Sequence, residues 1–256
     1  MPGRTIIAMP DNPPTSPSLL CINVGRTLYS VVTDTKNAGI AASDYRALFI
    51  TEHAHNIALL LGNIGSMGSK FQAYATRLLV RPMYEGMFHM IAAIRDPDFA
   101  KSKMLHEVNH WLKISKSYKA TLAAKSEDTT VIDARIMELE NESTRWQATN
   151  NVQVREPRDF SPWKICEVAD CKGWYIQYQQ LCDYTHSAFS SLNALAETNK
   201  GTILHQSTVV GGNTLLEYRK FLDPAREQEH LNEADENVAL IMQMIRDGTY
   251  DRETWE

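Results

Sequence analysis

The stretch Lys70 to Arg95, KFQAYATRLLVRPMYEGMFHMIAAIR, constrains the fold more than any other part of the chain. Its apolar residues include Leu78, Leu79, Val80, Met83, Met87, Phe88, Met90, Ile91 and Ile94. They cover more than one face of a helix, so the helix must be buried on several sides. Arg77, Arg81, Glu85 and His89 recur every fourth residue and stack into one polar stripe. An unpaired charge in an apolar core is costly, so the stripe needs partners on a neighbouring helix or an anionic ligand. Pro82 inside the stretch predicts a kink, with the carbonyl of Leu78 losing its partner.

Upstream, residues 1–18 are proline-rich and predict an extended or disordered tail, with a short strand over Thr5–Met9. Leu19–Val32 fits either a strand or a short helix. Ser43 is the expected N-cap of a helix that runs through Leu48, Ile57 and Leu61 and stops at Gly62, Gly65 and Gly68. Downstream of the central helix, Asp96-Pro97 ends it and Phe99–Ala124 reads as a third helix. After a turn at Ser126–Asp128, Val131–Gln147 reads as a fourth, strongly charged one. Asn150–Pro162 is a linker, and Ser161-Pro162-Trp163 starts a short helix with proline at its first position. Trp174–Asn199 is the expected last core helix. Gly201, Gly211 and Gly212 read as turns, with Thr208–Val210 pairing locally, and Arg226–Arg246 as a final amphipathic helix. The expectation is an all-α bundle of four to five long helices: a tail and lead-in over 1–42, a helical core over 43–200, and a C-terminal extension over 201–256.

Lys and Arg number 26 against 31 Asp and Glu, a net charge of −5. That excludes coating of nucleic acid by bulk charge and leaves room for a local basic patch. No apolar run reaches the length of a membrane span, the four cysteines form no Cys-x-x-Cys pair, and no secretory signal is legible. A cytoplasmic protein with reduced thiols, no membrane partner and no cofactor is expected.

Three further patterns bear on chemistry. His106-Glu107-Val108-Asn109-His110 matches His-Glu-x-x-His, which on a helix puts two imidazoles on one face for zinc, with Glu107 as base; no third ligand has a recognisable context. Gly62–Lys70 carries glycines ahead of a helix but ends Ser-Lys rather than Gly-Lys-Ser/Thr, so it reads as a turn. Tyr178, Cys182 and His186 are four residues apart and line one side of the last core helix. Opposite the Arg81–Glu85 pair, Tyr178 and His186 could handle protons while Arg81 meets a phosphate. The bland alternative for the same group is a structural polar network holding the bundle in register.

On Arg81-Pro82-Met83-Tyr84-Glu85 and Tyr178-Gln-Gln-Leu181-Cys182-Asp-Tyr-Thr185-His186 the chain resembles a family of bacterial helical proteins of unknown function. That family carries an Arg-x-x-x-Glu helix and a late Tyr-x-x-Leu-Ser-x-x-Val-His helix. The resemblance spans Tyr45 to Ala194, with Cys182 standing for the serine and Thr185 for an aliphatic residue. The late helix is similar to that of HEPN-type ribonucleases and defence toxins, although here Arg81 must supply the arginine from another helix. The family resemblance implies an all-α fold and no settled activity, and the likeness to HEPN proteins points to a metal-independent ribonuclease or nucleotide-acting toxin, acting as a homodimer. Arg81, Glu85, Tyr178 and His186 would be its catalytic group, and Arg77, His89 and Cys182 would bind substrate. The alternative is a non-catalytic helical module binding a protein or a small anion, with zinc hydrolysis through His106, Glu107 and His110 a third reading.

Overall fold

Asp44, not Ser43, caps the second helix: its carboxylate accepts from the Ala47 amide at 2.9 Å, which satisfies one of the orphan donors of the first turn. The computed structural model describes residues 17–67, 72–152, 155–185 and 200–232, and among them there is no strand. The helices are α1 (Pro17–Ala38), α2 (Tyr45–Ser66), α3 (Gln72–Arg95), α4 (Phe99–Ala124), α5 (Thr130–Asn150), α6 (Pro162–Ala169), α7 (Lys172–Thr185) and α8 (Lys200–Leu222). Short 3-10 turns occupy Pro157–Phe160 and Pro224–Arg226. The all-α expectation holds, but six described helices span 21 to 26 residues, more than the four or five long ones expected. The strand proposed for Thr5–Met9 lies outside the described residues. So do most of the 174–199 stretch beyond Thr185 and the final helix beyond residue 232.

Two compact units divide the chain, one formed by Met1–Gly39, Thr51–Met87 and Ile176–Glu256, the other by Ile40–Ile50 and Phe88–Tyr175. In the first unit, α1 resolves the ambiguity of Leu19–Val32 in favour of helix. Leu20, Cys21, Val24, Leu28 and Val32 fall on one buried face at helical spacing. Burying an aliphatic side chain of this kind contributes about 1.5–3 kcal/mol, more than the weak β preference of the branched residues opposes.

Glycine read as a helix stop is the main correction. A Cβ on Gly65 of α2 would sit 2.9 Å from the Ser18 carbonyl of α1, and one on Gly25 would sit 3.2 Å from the Ala58 carbonyl of α2. These glycines allow two antiparallel helices to touch backbone to backbone, so α2 passes through Gly62 and Gly65 and ends at Ser66. The same correction applies to the turns expected at Gly201, Gly211 and Gly212 and the pairing at Thr208–Val210: all lie inside α8. A Cβ on Gly211 would meet Leu61 Cδ1 at 2.5 Å and Val24 Cγ1 at 3.1 Å, so this glycine seats α8 against α1 and α2. A hydrogen bond between Thr51 and Tyr218, 3.2 Å apart and both buried, ties α2 to α8 farther along.

In the second unit, α4 and α5 form an antiparallel hairpin. Ser143 donates to Asn109 at 2.8 Å, the Trp146 indole donates to the Lys101 carbonyl at 3.1 Å, and Lys116 pairs with Glu140 at 2.7 Å. Arg46 caps the C-terminal end of α3 by donating to the carbonyls of Ala93 and Ile94. The segment expected to be linker contains the 3-10 turn Pro157–Phe160, closed by reciprocal bonds between Glu156 and Asp159. Ser161 then caps α6, as the Ser-Pro-Trp pattern predicted.

Candidate functional site

α3 continues through Pro82, which is exposed, so the backbone group it leaves without a partner sits on the outer side of the helix. Arg81 and Glu85 flank it one turn apart. Arg81 Nε donates to Glu85 Oε1 at 3.0 Å. The Tyr178 hydroxyl, on α7, donates to the same carboxylate oxygen at 2.8 Å. The Arg81 guanidinium carbon lies 5.7 Å from the centre of the Tyr178 ring, within cation–π range. Gly86, next to Glu85, lets α3 approach Ile57 of α2.

The cluster is graded in exposure. Tyr178 is 2% exposed, whereas the Arg81 and Glu85 side chains are 26% and 37% exposed. A charged pair at the rim therefore rests on a buried phenol. Burial works against the Arg81 charge, but the hydrogen bond to Glu85 and the fields of Tyr178 and Cys182 outweigh it, so its pKa lies above the ordinary value. Burial first, then Glu85 and Cys182, push the Tyr178 hydroxyl far above its usual range. Tyr178 is therefore a fixed donor at neutral pH, not a base. Cys182, one turn on from Tyr178 in α7, lies against the same hydroxyl and is half-buried.

Arg81, Glu85, Tyr178 and Cys182 are thus brought together from two helices. His186 and the side chain of Arg77 lie outside the described residues. His89 has a different setting: its ring packs edge-on to Phe49 with centres 6.4 Å apart and beside Phe99 at 6.1 Å, in the second unit.

The His-Glu-x-x-His pattern does fall on a helix, with the His106 and His110 rings stacked 6.4 Å apart. However, His106 packs on Phe160 at 4.5 Å, and Glu107 pairs with Lys103 at 2.6 Å. Among the described residues no three His, Cys, Asp or Glu side chains converge in a way that could hold a metal ion.

Two features escaped the sequence reading. Lys36 of α1 lies 2.7 Å from His55 Nδ1 and 2.8 Å from Glu52, both on α2. No local pattern announces such a cluster, because the three residues meet only through the α1–α2 crossing. The other is an open groove of about 400 Å³ along α4, lined by His110, Lys113, Ile114, Ser117, Tyr118 and Thr121. Its signal was present in the sequence, as the apolar residues Ile114 and Tyr118 four residues apart on α4.

The model of a family of unknown function, DUF5677, matches residues 50–203, a span that includes α3, α7 and every described residue of the cluster. No curated protein and no solved structure matches the chain. No helix among the described residues is long and apolar enough to cross a membrane.

Proposed function

The chain belongs to DUF5677, a family of unknown function, and within it we propose a metal-independent, HEPN-like action on the phosphodiester bonds of RNA, centred on Arg81, Glu85, Tyr178 and His186. The observation that carries the proposal is the shared carboxylate oxygen of Glu85. It accepts from Arg81 on its own helix and from Tyr178 on another, which fixes a guanidinium at a half-open rim. A guanidinium held on one edge by a carboxylate presents its other donors in a plane that suits a phosphate. Glu85 orients Arg81, Tyr178 orients Glu85, and Arg81 meets the charge that develops on the phosphate. His186, four residues past Cys182, handles the proton. It takes one from the attacking 2′-hydroxyl and returns one to the departing 5′-oxygen, leaving a 2′,3′-cyclic phosphate. A cytoplasmic toxin or defence effector acting as a homodimer is the biological form this chemistry would take.

Total RNA from cells expressing the wild-type chain should fragment, while RNA from cells expressing His186→Ala or Arg81→Ala stays intact. Purified wild-type protein should keep its activity in excess chelator. Intact RNA in every arm would overturn the proposal.

The second reading, a non-catalytic binding module, draws on the burial of Tyr178. A phenol 2% exposed whose hydroxyl is already committed to Glu85 also describes a network that holds α7 on α3. On that reading Arg81→Ala lowers thermal stability and there is no RNA cleavage to lose.

A further inference from the structure

We propose that Cys166 and Cys171 are a peroxide-responsive dithiol, which closes to an intrachain disulfide across the turn between α6 and α7. The turn is a Schellman motif. Asp170 adopts the left-handed conformation, with φ 51° and ψ 41°. Its amide donates to the Glu167 carbonyl at 3.2 Å, and the Cys171 amide donates to the Cys166 carbonyl at 2.9 Å. That pattern puts the two cysteines at the positions whose side chains meet in such a turn. Even drawn out straight, the 2.9 Å bond and the covalent bonds flanking it hold the two Cα atoms within about 7 Å. The bend at the carbonyl brings them closer, into the range that a disulfide spans.

The side chains agree with the backbone. The Cys171 thiol turns back toward α6 and donates to the Ala169 carbonyl at 3.3 Å. Cys166 lies within the field of Cys171, which adds to burial in pushing its thiol up to about 12. An apolar contact at this turn needs only aliphatic side chains, yet both positions carry a thiol, two of the four in the chain. The turn is also clamped from outside. Arg95, at the end of α3, pairs with Asp170 at 3.0 Å, and Glu167 pairs with Lys164 at 2.6 Å and Lys172 at 3.2 Å. These pairs keep the backbone in place while the sulfurs react.

Exposure sets the order of events and the size of the oxidant. Cys171 is 8% exposed and Cys166 is fully buried, so a peroxide, little larger than water, meets Cys171 first. Cys171 also directly precedes α7, whose first amides favour negative charge on the sulfur. The Cys171 sulfur attacks one peroxide oxygen and the O–O bond breaks. Hydroxide leaves and takes up the proton that Cys171 gave to solvent, forming water, and Cys171 becomes a sulfenic acid. The Cys166 sulfur then attacks the Cys171 sulfur, the S–O bond breaks, and the hydroxyl departs as water with the Cys166 proton. Both sulfurs are oxidised and the peroxide is reduced to two waters. Cys166 is the resolving partner and not the first attacker, because so little of it is thiolate at neutral pH.

The test treats the reduced full chain with hydrogen peroxide, quenches with catalase, denatures in iodoacetamide and digests with trypsin. Cleavage after Lys164 and Lys172 leaves both cysteines in one peptide, 165–172. That peptide should come back unalkylated and two hydrogens lighter than its reduced form, and dithiothreitol before alkylation should restore both labelling sites. Cys166→Ser should arrest Cys171 as a sulfenic acid that dimedone captures. The oxidised wild type should melt about 2–4 °C or more above the same sample after dithiothreitol, which reopens a disulfide but leaves methionine sulfoxides in place. A peptide that takes up two alkyl groups after peroxide overturns the proposal. So does oxygen added to Cys171 beside an alkylated Cys166, or a cross-link from either cysteine to Cys21 or Cys182. A melting temperature that rises on reduction also overturns it, because the native turn would then not hold the sulfurs in bonding geometry. None of these outcomes depends on whether the chain cleaves RNA.

Discussion

Glu85 Oε1 accepts from two donors of different character, and the difference sets what each substitution should do. Tyr178 is buried, so Tyr178→Phe removes a charge-assisted hydrogen bond and leaves the carboxylate to partly recruit water. The expected cost is about 1–3 kcal/mol, read as a lower urea midpoint with unchanged slope. Arg81 and Glu85 are partly exposed, so Arg81→Ala should cost less than the loss of a fully buried pair, about 1–2 kcal/mol. Because both donors share one oxygen, the double variant Arg81→Ala/Tyr178→Phe should depart from additivity by about 0.5 kcal/mol or more. Strict additivity would mean that the two bonds do not act as one network. On the nuclease reading Arg81→Lys keeps the charge but loses the planar fork, so stability should largely return while RNA cleavage does not.

At the level of elements, the glycines of α1, α2 and α8 sort into two kinds by what a side chain would meet. Gly25 and Gly65 face backbone of the opposing helix at 3.2 Å or closer. Neither α1 nor α2 can yield there without separating, so Gly25→Val and Gly65→Val should each destabilise by about 1–3 kcal/mol or more through overpacking. Gly212, one residue past the tightly packed Gly211, has nothing within 4 Å of an added Cβ. Gly212→Ala should therefore stabilise α8 by about 0.5–1 kcal/mol through helix propensity and chain entropy. Thermal denaturation of the three variants checks both directions. A destabilising Gly212→Ala would mean that this face of α8 packs against something.

Across the whole molecule, acidification should act through half-buried imidazoles. Burial holds His205 of α8 below its ordinary pKa of 6.5, and His106 of α4 is lowered by burial first and then by Lys103. In the unfolded chain both titrate near the ordinary value, so around and just below it the unfolded state binds more protons than the folded state. Stability therefore rises with pH in that window. The contribution is complete above about pH 7 and is lost as pH falls through the lowered folded values. The melting temperature should drop on going from about pH 7.5 to about pH 5.5, and His205→Gln should make that drop shallower. A slope unaffected by His205→Gln would place the acid sensitivity elsewhere.

Period and local chemistry were enough to determine the all-α class, the extent of α4, the presence of α5 (read as Val131–Gln147, found as Thr130–Asn150), the Ser161 cap and the Arg81–Glu85 pair, because each depends on residues within a turn or two of one another. The Tyr178 stripe was legible as a face, but its partner was not: Glu85 lies 93 residues away, and only packing of α7 on α3 chooses it. The glycines of α2 and α8 misled for the same reason. Alone, Gly62, Gly65, Gly211 and Gly212 read as breaks, since glycine weakens an isolated helix by about 1 kcal/mol. Gly65 and Gly211, which are packed, cannot be told from Gly62 and Gly212, which have nothing within 4 Å of an added Cβ, until the opposing helix is in place. Tertiary contact then turns Gly65 and Gly211 into the points where helices approach most closely, and the apolar burial gained there exceeds what propensity withholds.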